Sequence, residues 1–560
     1  MTTFPQRLKS LHERIPDRVA IYLQFSGRED VSITYDQLLQ SSNSYASILA
    51  RAGVKPGEVI ILILQHGEDL IYSFWGTILH GAIPSIMAFL TEKLSPERYR
   101  ADLSALVSVT KPAAVITYPE FADEVKVALK ESDSVRSVIT TDQIERQIDL
   151  NFEALEGFSR NAEDIVLLQH SSGTTGLQKG VALSHQAVFN QLDAYGKSLA
   201  LNESDVIVSW LPLYHDMGLI AGFIMPVLSG VPLVLMSPFD WVRAPYRLLH
   251  SVSLYQGTLM WLPNFAYNFS AQKIRDRHIE GVNLSSLRAI INCSEPVRWE
   301  SHQAFYERFK DYGLKYESLQ TSYAMAENVF CVTQSLVGSE PLVEEIDRES
   351  FMVERMAKSP FDSHPSMKMM SSGRPIENVR VKIINEQGQE LPECMIGEIA
   401  IQSDCMLTAY YNRPDLSEQA FLDGWYLTGD YGYISNGEVF VSGRKKDMII
   451  VGGKNVYPQD VEMLSYEVPG VHAGRSVAFG LFDETQGTEE VVIIAEVDSE
   501  NADEQQKIAD AIRLHVTKNS AIALRYVKVV GPKWILKTSS GKTARSANKE
   551  KFLKELESAK

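Results

Sequence analysis

The chain of 560 residues carries 54 basic and 71 acidic side chains, a net charge of −17, with 45% hydrophobic and 22% charged residues. That balance belongs to a globular protein of several folding units, and only 23 prolines and 34 glycines exclude a long disordered linker. An acidic chain is the opposite of what a phosphate backbone attracts, which excludes nucleic-acid binding as the main function.

The N-terminal stretch MTTFPQRLKSLHERIPDR has mixed charge and no apolar h-region, so it does not read as a secretory signal. From about residue 30 to 440, short β-branched runs alternate with longer amphipathic stretches. The runs include Val59–Leu64, Ala113–Thr117, Val135–Thr140, Val231–Met236 and Ala289–Asn292. Strands separated by helix-length segments predict α/β layers around mostly parallel sheets. Leu219 to Met236 is an uncharged run of 18 residues, long enough for a crude membrane criterion. Pro226 and Pro232 are expected to break a single helix, and Ser229-Gly230 reads as a turn between a buried helix and a short strand, so no membrane span is expected. After about Gly373 the pieces VRVKIINEQGQEL, GEIAIQ and GEVFVSG, with turns at Gln387-Gly388 and Asn436-Gly437, predict an antiparallel β-subdomain. Beyond Gly443 the pattern is a small α+β unit, with strands near 476–479, 491–497 and 526–530 and a helix over 504–519. The expected division is a large domain of residues 1–443 and a small one of residues 444–560.

Charge is unevenly spread. Residues 501–560 hold ten lysines and three arginines against six acids, a net +7, leaving −24 for the remainder. Such an end suits phosphates or an acidic partner, and a solvated basic face is the alternative. The four cysteines are few, widely spaced and without CxxC spacing, which predicts reduced thiols and a cytoplasmic protein.

The strongest local signal is His170-Ser-Ser-Gly-Thr-Thr-Gly-Leu-Gln-Lys-Gly180 after the apolar run Ile165–Leu168. Its glycines, hydroxyls and lysine form a loop able to cradle phosphate oxygens. It is not a Walker A box: the GK[ST] of Gly541-Lys542-Thr543 has Leu536 where that box needs glycine, and that of Gly196-Lys197-Ser198 has Gln191. GxGxxG, HExxH and GxSxG are absent, which weakens dehydrogenase, zinc-protease and serine-esterase readings.

Five further motifs follow in order: Trp210-Leu-Pro-Leu-Tyr-His-Asp-Met-Gly218, Tyr323-Ala-Met-Ala-Glu327, Tyr426-Leu-Thr-Gly-Asp430, Gly443-Arg-Lys-Lys-Asp447 and Thr538-Ser-Ser-Gly-Lys-Thr543. Over nearly the whole chain this order resembles the adenylate-forming superfamily of acyl-CoA synthetases, peptide-synthetase adenylation domains and luciferases. Within it, the chain is most similar to fatty acyl-AMP ligases, through LPLYHDMGLIAG, MSPFDWVRAP, WLPNFAYN, NCSEPVR and above all GGKNVYPQDVE, and through a long connection between Tyr323 and Gly373. In that family an insertion at this place restrains the C-terminal domain.

The resemblance implies a large N-terminal domain of layered α/β subdomains plus a β-subdomain, with a small mobile C-terminal α+β lid. It implies ATP-dependent activation of a fatty acid to acyl-AMP, then acyl transfer to the phosphopantetheine thiol of an acyl carrier protein. The implied phosphate loop uses Ser171, Ser172, Thr174, Thr175 and Lys179, and Glu327 is the implied Mg²⁺ ligand, a hard oxygen donor for a hard cation. Ser294, Glu295 and Pro296 would line adenine, Tyr323 would stack on it, and Asp430 with Arg444 would take the ribose. Lys542 is the implied catalytic residue and Lys446 the hinge. His215 would border the carboxylate pocket; a satisfied core histidine is the alternative. Ala324 departs from the glycine usual in the superfamily motif, Ala326 agrees with acyl-AMP ligases, and Asn455 gives no support for CoA binding. An acyl-CoA ligase of the same fold, and a non-catalytic acyl-nucleotide sensor, are the rival readings.

Overall fold

The computed structural model describes residues 2–90, 96–130, 132–147, 150–171, 179–361, 365–451, 454–483, 488–520, 522–538 and 541–558. Among them, two large sheets carry most of the first 440 residues. One runs in the order Ala409–Tyr410, Lys179–Ser184, Ile165–Ser171, Ile83–Ile86, Val59–Ile63, Ala114–Thr117, Ser137–Thr140. Its central strand VIILI is buried at every position, as a strand covered by helices on both faces must be, and it pairs in parallel on both sides.

The second sheet places Leu319–Ala324, Ala289–Asn292, Leu259–Leu262, Ile207–Ser209, Leu233–Met236 and Val19–Gln24 side by side in parallel, with antiparallel strands at its edges. Parallel neighbours all end on the same edge, so the loops after four consecutive strands converge there. Ligands bind in α/β sheets at this carboxyl edge.

The segment 217–236 differs in one detail from its sequence reading. Met217–Ile224 is a π-helix that runs straight into the α-helix Met225–Ser229, so Pro226 does not break the run. The Met225 N–H bonds to the Ile220 carbonyl, five residues back, and the proline enters at the first α-turn, where its missing donor costs little. Gly230, at φ +78°, ends the helix before the strand Leu233–Met236. No helix among the described residues is long and apolar enough to cross a membrane.

An antiparallel unit follows: Val379–Ile384, Gly397–Ser403 and Trp425–Ser435, with Glu438–Arg444 paired on the last. The connection from 335 to 373 forms a hairpin of Val343–Asp347 with Ser366–Met370, and a π-helical turn Ser350–Glu354 between them. Gly373 closes this excursion at φ +92°, where an added Cβ would lie 2.0 Å from the Gln334 carbonyl carbon. Gly373→Ala is therefore expected to lower the unfolding free energy by about 3 kcal/mol through backbone strain and overpacking. Chemical denaturation of the full chain checks it, and an unchanged midpoint would contradict it.

The last residues build a three-stranded sheet of Ser476–Asp483, Thr488–Glu496 and Leu524–Val530, flanked by helices Pro458–Tyr466, Ala502–Ser520 and Arg545–Ser558. Its core, including Ile449, Val461, Ile493 and Val516, is separate from the main one. The hairpin bridges the two parts. Ile346, Phe351 and Met369 share an apolar cluster with Tyr433 and Phe440 of the antiparallel unit and with Tyr457. Arg348 also donates to the Asn519 carbonyl.

Candidate active site

His215 and Asp216 lie on the loop after Ile207–Ser209, Phe265 follows Leu259–Leu262, Ser294 and Glu295 follow Ala289–Asn292, and Tyr323 to Glu327 ends Leu319–Ala324. The neighbouring parallel strands bring all of them to one edge. Asp216 caps the π-helix, accepting the Met217 N–H at 2.8 Å, and pairs with His215 Nδ1 at 2.5 Å. The His215 Nε2 faces the Lys542 ammonium, and the ring is partly buried on this loop.

Lys542 reaches that edge from the C-terminal unit. Its loop is a tight turn: the Gly541 N–H donates to the Thr538 carbonyl at 2.9 Å, and the Thr538 N–H to the Lys542 carbonyl at 2.7 Å. Gly541 sits at φ +87°, and a Cβ there would meet the Phe265 ring at 3.9 Å, so the turn rests against the aromatic residue of the large domain. The Lys542 Nζ is 3.5 Å from His215 Nε2. Burial pulls the Lys542 ammonium below the usual lysine range, while Asp216 and Glu295 oppose the shift. Burial also acts to raise Asp216, but His215 and Lys542 outweigh it and hold the carboxyl at about 2. Glu295 accepts the Phe265 N–H at 3.0 Å, and its carboxyl is raised by burial against the pull of Lys542. Arg545, three residues beyond Lys542, anchors the loop by pairing with Glu462 and donating to the Ala478 carbonyl at 2.7 Å.

A second group surrounds Asp430. It is the cross-strand partner of Arg444, so the two side chains share a face of the sheet, with Arg444 Nε 3.4 Å from Asp430 Oδ1. The Tyr323 hydroxyl donates to Asp430 Oδ2 at 2.7 Å. The Asp430 N–H donates to the Thr428 hydroxyl at 3.0 Å and the Gly429 N–H to Glu398 at 3.1 Å, which fixes a bulge inside the strand Trp425–Ser435. Burial raises the Asp430 carboxyl despite Arg444 and Tyr323. Ser294 holds a left-handed backbone at φ +68°, a strain of about 1–3 kcal/mol that clusters at functional sites. Pro296 beside it is exposed.

Glu327 accepts the Tyr410 hydroxyl at 2.9 Å, Tyr410 meets Tyr426 hydroxyl to hydroxyl at 2.9 Å, and the Lys179 ammonium lies 4.6 Å over the Tyr410 ring. Burial raises the Glu327 carboxyl against the Tyr410 hydrogen bond. Of the phosphate loop, Ser172, Thr174 and Thr175 lie outside the described residues. Its two ends are in register, Ser171 opposite Lys179. Lys446 sits in the turn Lys445–Asp447 that follows Arg444, beside Lys445, which pairs with Glu398 at 2.8 Å.

Sequence reasoning missed several members. Tyr410 lies 83 residues from Glu327 and belongs to no motif. The Glu295 carboxylate was read only as backbone lining. Arg545 and Glu462 had a usable signal, because each lies within or beside a motif already singled out.

The family model for AMP-binding enzymes matches residues 9–411. The chain is 29% identical over 581 residues to the long-chain-fatty-acid AMP ligase FadD26 of Mycobacterium bovis, covering 98% of this chain and 97% of that one. It is 27% identical over 552 residues to the medium-chain-fatty-acid acyl-carrier-protein ligase JamA of Moorena producens, covering 95% and 92%. Among solved structures, the fatty acyl-adenylate ligase of L. pneumophila in complex with acyl adenylate and pyrophosphate is 28% identical, with a TM-score of 0.74 over 98% of this chain and 96% of that one. A structure from work on fatty acyl-adenylate ligases of E. coli and L. pneumophila, at 24% identity, superposes over 100% and 99% with a TM-score of 0.90, and so shares the fold.

Proposed function

The chain belongs to the AMP-binding enzyme family and is an adenylate-forming ligase of the fatty acyl-AMP ligase kind; from that premise we propose how its residues divide the work. A fatty acid carboxylate attacks the α-phosphorus of ATP, the bond from that phosphorus to the bridging oxygen breaks, and pyrophosphate leaves with its electron pair. The acyl group of the resulting acyl-AMP then passes to the phosphopantetheine thiol of an acyl carrier protein, AMP being the leaving group.

The observation that carries the reading is the position of Lys542, 3.5 Å from His215 at the carboxyl edge of the sheet. There its ammonium draws the carboxylate and the α-phosphate together and stabilises charge on the phosphate oxygens during attack. Asp216 fixes the His215 ring beside the acyl carboxylate. Asp430 accepts the ribose hydroxyls, held by Tyr323 and Arg444, and Tyr323 meets the base lined by Ser294, Glu295 and Pro296. Ser171, Ser172, Thr174, Thr175 and Lys179 take the β- and γ-phosphates.

Glu327 is suited to Mg²⁺. This ion binds through one or two carboxylates plus substrate phosphates, and Glu327 offers such a carboxylate just after the strand Leu319–Ala324. When bound, it neutralises phosphate charge. Residues 1–443 form the large domain and residues 444–560 the lid, turning about Lys446. The similarity to the acyl-carrier-protein ligase JamA supports a carrier protein over CoA as acceptor. All four cysteines are free, which favours a reducing, cytoplasmic setting.

The experiment is product analysis with ATP, Mg²⁺ and a series of fatty acids, with and without CoA. Acyl-AMP accumulating without acyl-CoA is the expected result. Efficient acyl-CoA formation would overturn the acceptor assignment.

The pH profile offers a separate check. Lys542 acts as the ammonium and its pKa is lowered, so the alkaline limb of kcat/KM for ATP should fall below the ordinary lysine value of 10.5. Asp430 acts as a carboxylate and is raised by burial, so the acid limb should lie above its ordinary 3.8. Limbs at the ordinary values would contradict these environments.

A further inference from the structure

Arg298 of NCSEPVR and Asp460 of YPQDVE, two stretches that mark the family resemblance, have no part in the chemistry above, yet their side chains meet across the domain junction. Arg298 stands where the adenine-lining loop enters the helix Trp299–Phe309, and its guanidinium donates to Asp460 Oδ1 at 3.0 Å. Asp460 lies in the first turn of the lid helix Pro458–Tyr466, where the helix dipole favours a carboxylate. The side chains are only 15% and 31% exposed, so the pair is sheltered from solvent screening.

Both partners are fixed from behind. The Arg298 N–H donates to Asn264 Oδ1 at 3.2 Å, and Asn264 also accepts from Asn292 at 3.0 Å. On the lid side, Gln459 Nε2 donates to the Ser442 carbonyl at 2.6 Å, just before the hinge. The pair and the Lys542–His215 approach occur together in one lid orientation, and they anchor the lid to the large domain at two separate places. They add to the hairpin's contacts with the lid at Asn519 and Tyr457, and together these restrict its rotation.

We propose that Arg298 and Asp460 are positioning residues: their ion pair selects the lid orientation that delivers Lys542 for adenylation, and it must open before the lid turns for acyl transfer. The inference deepens the adenylation reading and rests on it. Removing one partner leaves the other as a sheltered, unpaired charge in this orientation alone, and so shifts the lid population away from it.

The test measures lid orientation and chemistry separately. Nitroxides on Val127→Cys and Leu514→Cys, two exposed positions on the large domain and the lid, in a Cys394→Ser background, report the interdomain distance by pulsed electron resonance. One narrow distance is expected for the otherwise unaltered chain. Asp460→Asn and Arg298→Gln should each add a second population and slow single-turnover acyl-AMP formation about tenfold, with the ATP dissociation constant within about twofold. The charge-swapped Arg298→Glu, Asp460→Lys double variant should restore the single distance and most of the rate. An unchanged distance distribution in both single variants would overturn the proposal, whether or not the rate falls, as would a second population that the swap does not reverse. If the unaltered chain made no acyl-AMP, the adenylation reading would fail while the distance measurement still judged the latch.

Discussion

Lys542→Ala is expected to slow acyl-AMP formation by about 10²–10³-fold, the effect of about 3–4 kcal/mol found when a preorganised group facing transition-state charge is removed. The ammonium is the cation that the C-terminal unit brings to the carboxyl edge, where Asp216 and Glu295 oppose the cost of burial. In the ground state ATP has other anchors, so its dissociation constant should change little. The loss should therefore appear in kcat rather than KM, the signature of an interaction made in the transition state. Lys542→Arg keeps the charge but spreads it over a planar fork, and partial activity is expected. Single-turnover formation of acyl-AMP alongside equilibrium ATP binding measures both quantities. Turnover unchanged in Lys542→Ala would remove this residue from the mechanism.

Asp430→Ala should act in the opposite way, through nucleotide binding. The carboxylate is buried, takes the Tyr323 hydroxyl at 2.7 Å and faces Arg444 across the strand pair. Its removal deletes the ribose acceptor and also strands a phenol and a guanidinium that it had paired. Losing the hydrogen bonds of this buried carboxylate costs about 2–3 kcal/mol, which corresponds to a rise of about 100-fold in the KM for ATP. Asp430→Asn keeps the shape and one acceptor oxygen, so its effect should be smaller. Equal ATP affinity in the Ala variant would show that the ribose is held elsewhere.

The motifs proposed to bear chemistry are legible because chemistry restricts residue type locally: Thr-Gly-Asp, Ser-Ser-Gly-Lys and a post-strand Glu each stand out in a few residues. The parallel sheets were legible too, since strands covered on both faces read as unbroken apolar runs, as in Val59–Ile63. What could not be read depends on contacts between distant segments. Tyr410 reaches Glu327 because a two-residue strand, Ala409–Tyr410, joins the edge of the first sheet beside Lys179–Ser184. The pairing of Arg298 with Asp460 spans 162 positions and exists through domain docking. The hairpin of 343–370 was legible only as extra length, because its Phe351 and Met369 find their partners in two other units. Pro226 was misjudged because a π-helical turn changes which backbone donors the helix needs.

The central claim is that this site joins a fatty acid to AMP and releases pyrophosphate. Exchange of labelled pyrophosphate into ATP tests it most directly, because the exchange requires reversible adenylation and no acceptor thiol. The account predicts exchange that appears only when a fatty acid is added and is lost in Lys542→Ala. Exchange absent with every fatty acid tried would contradict it.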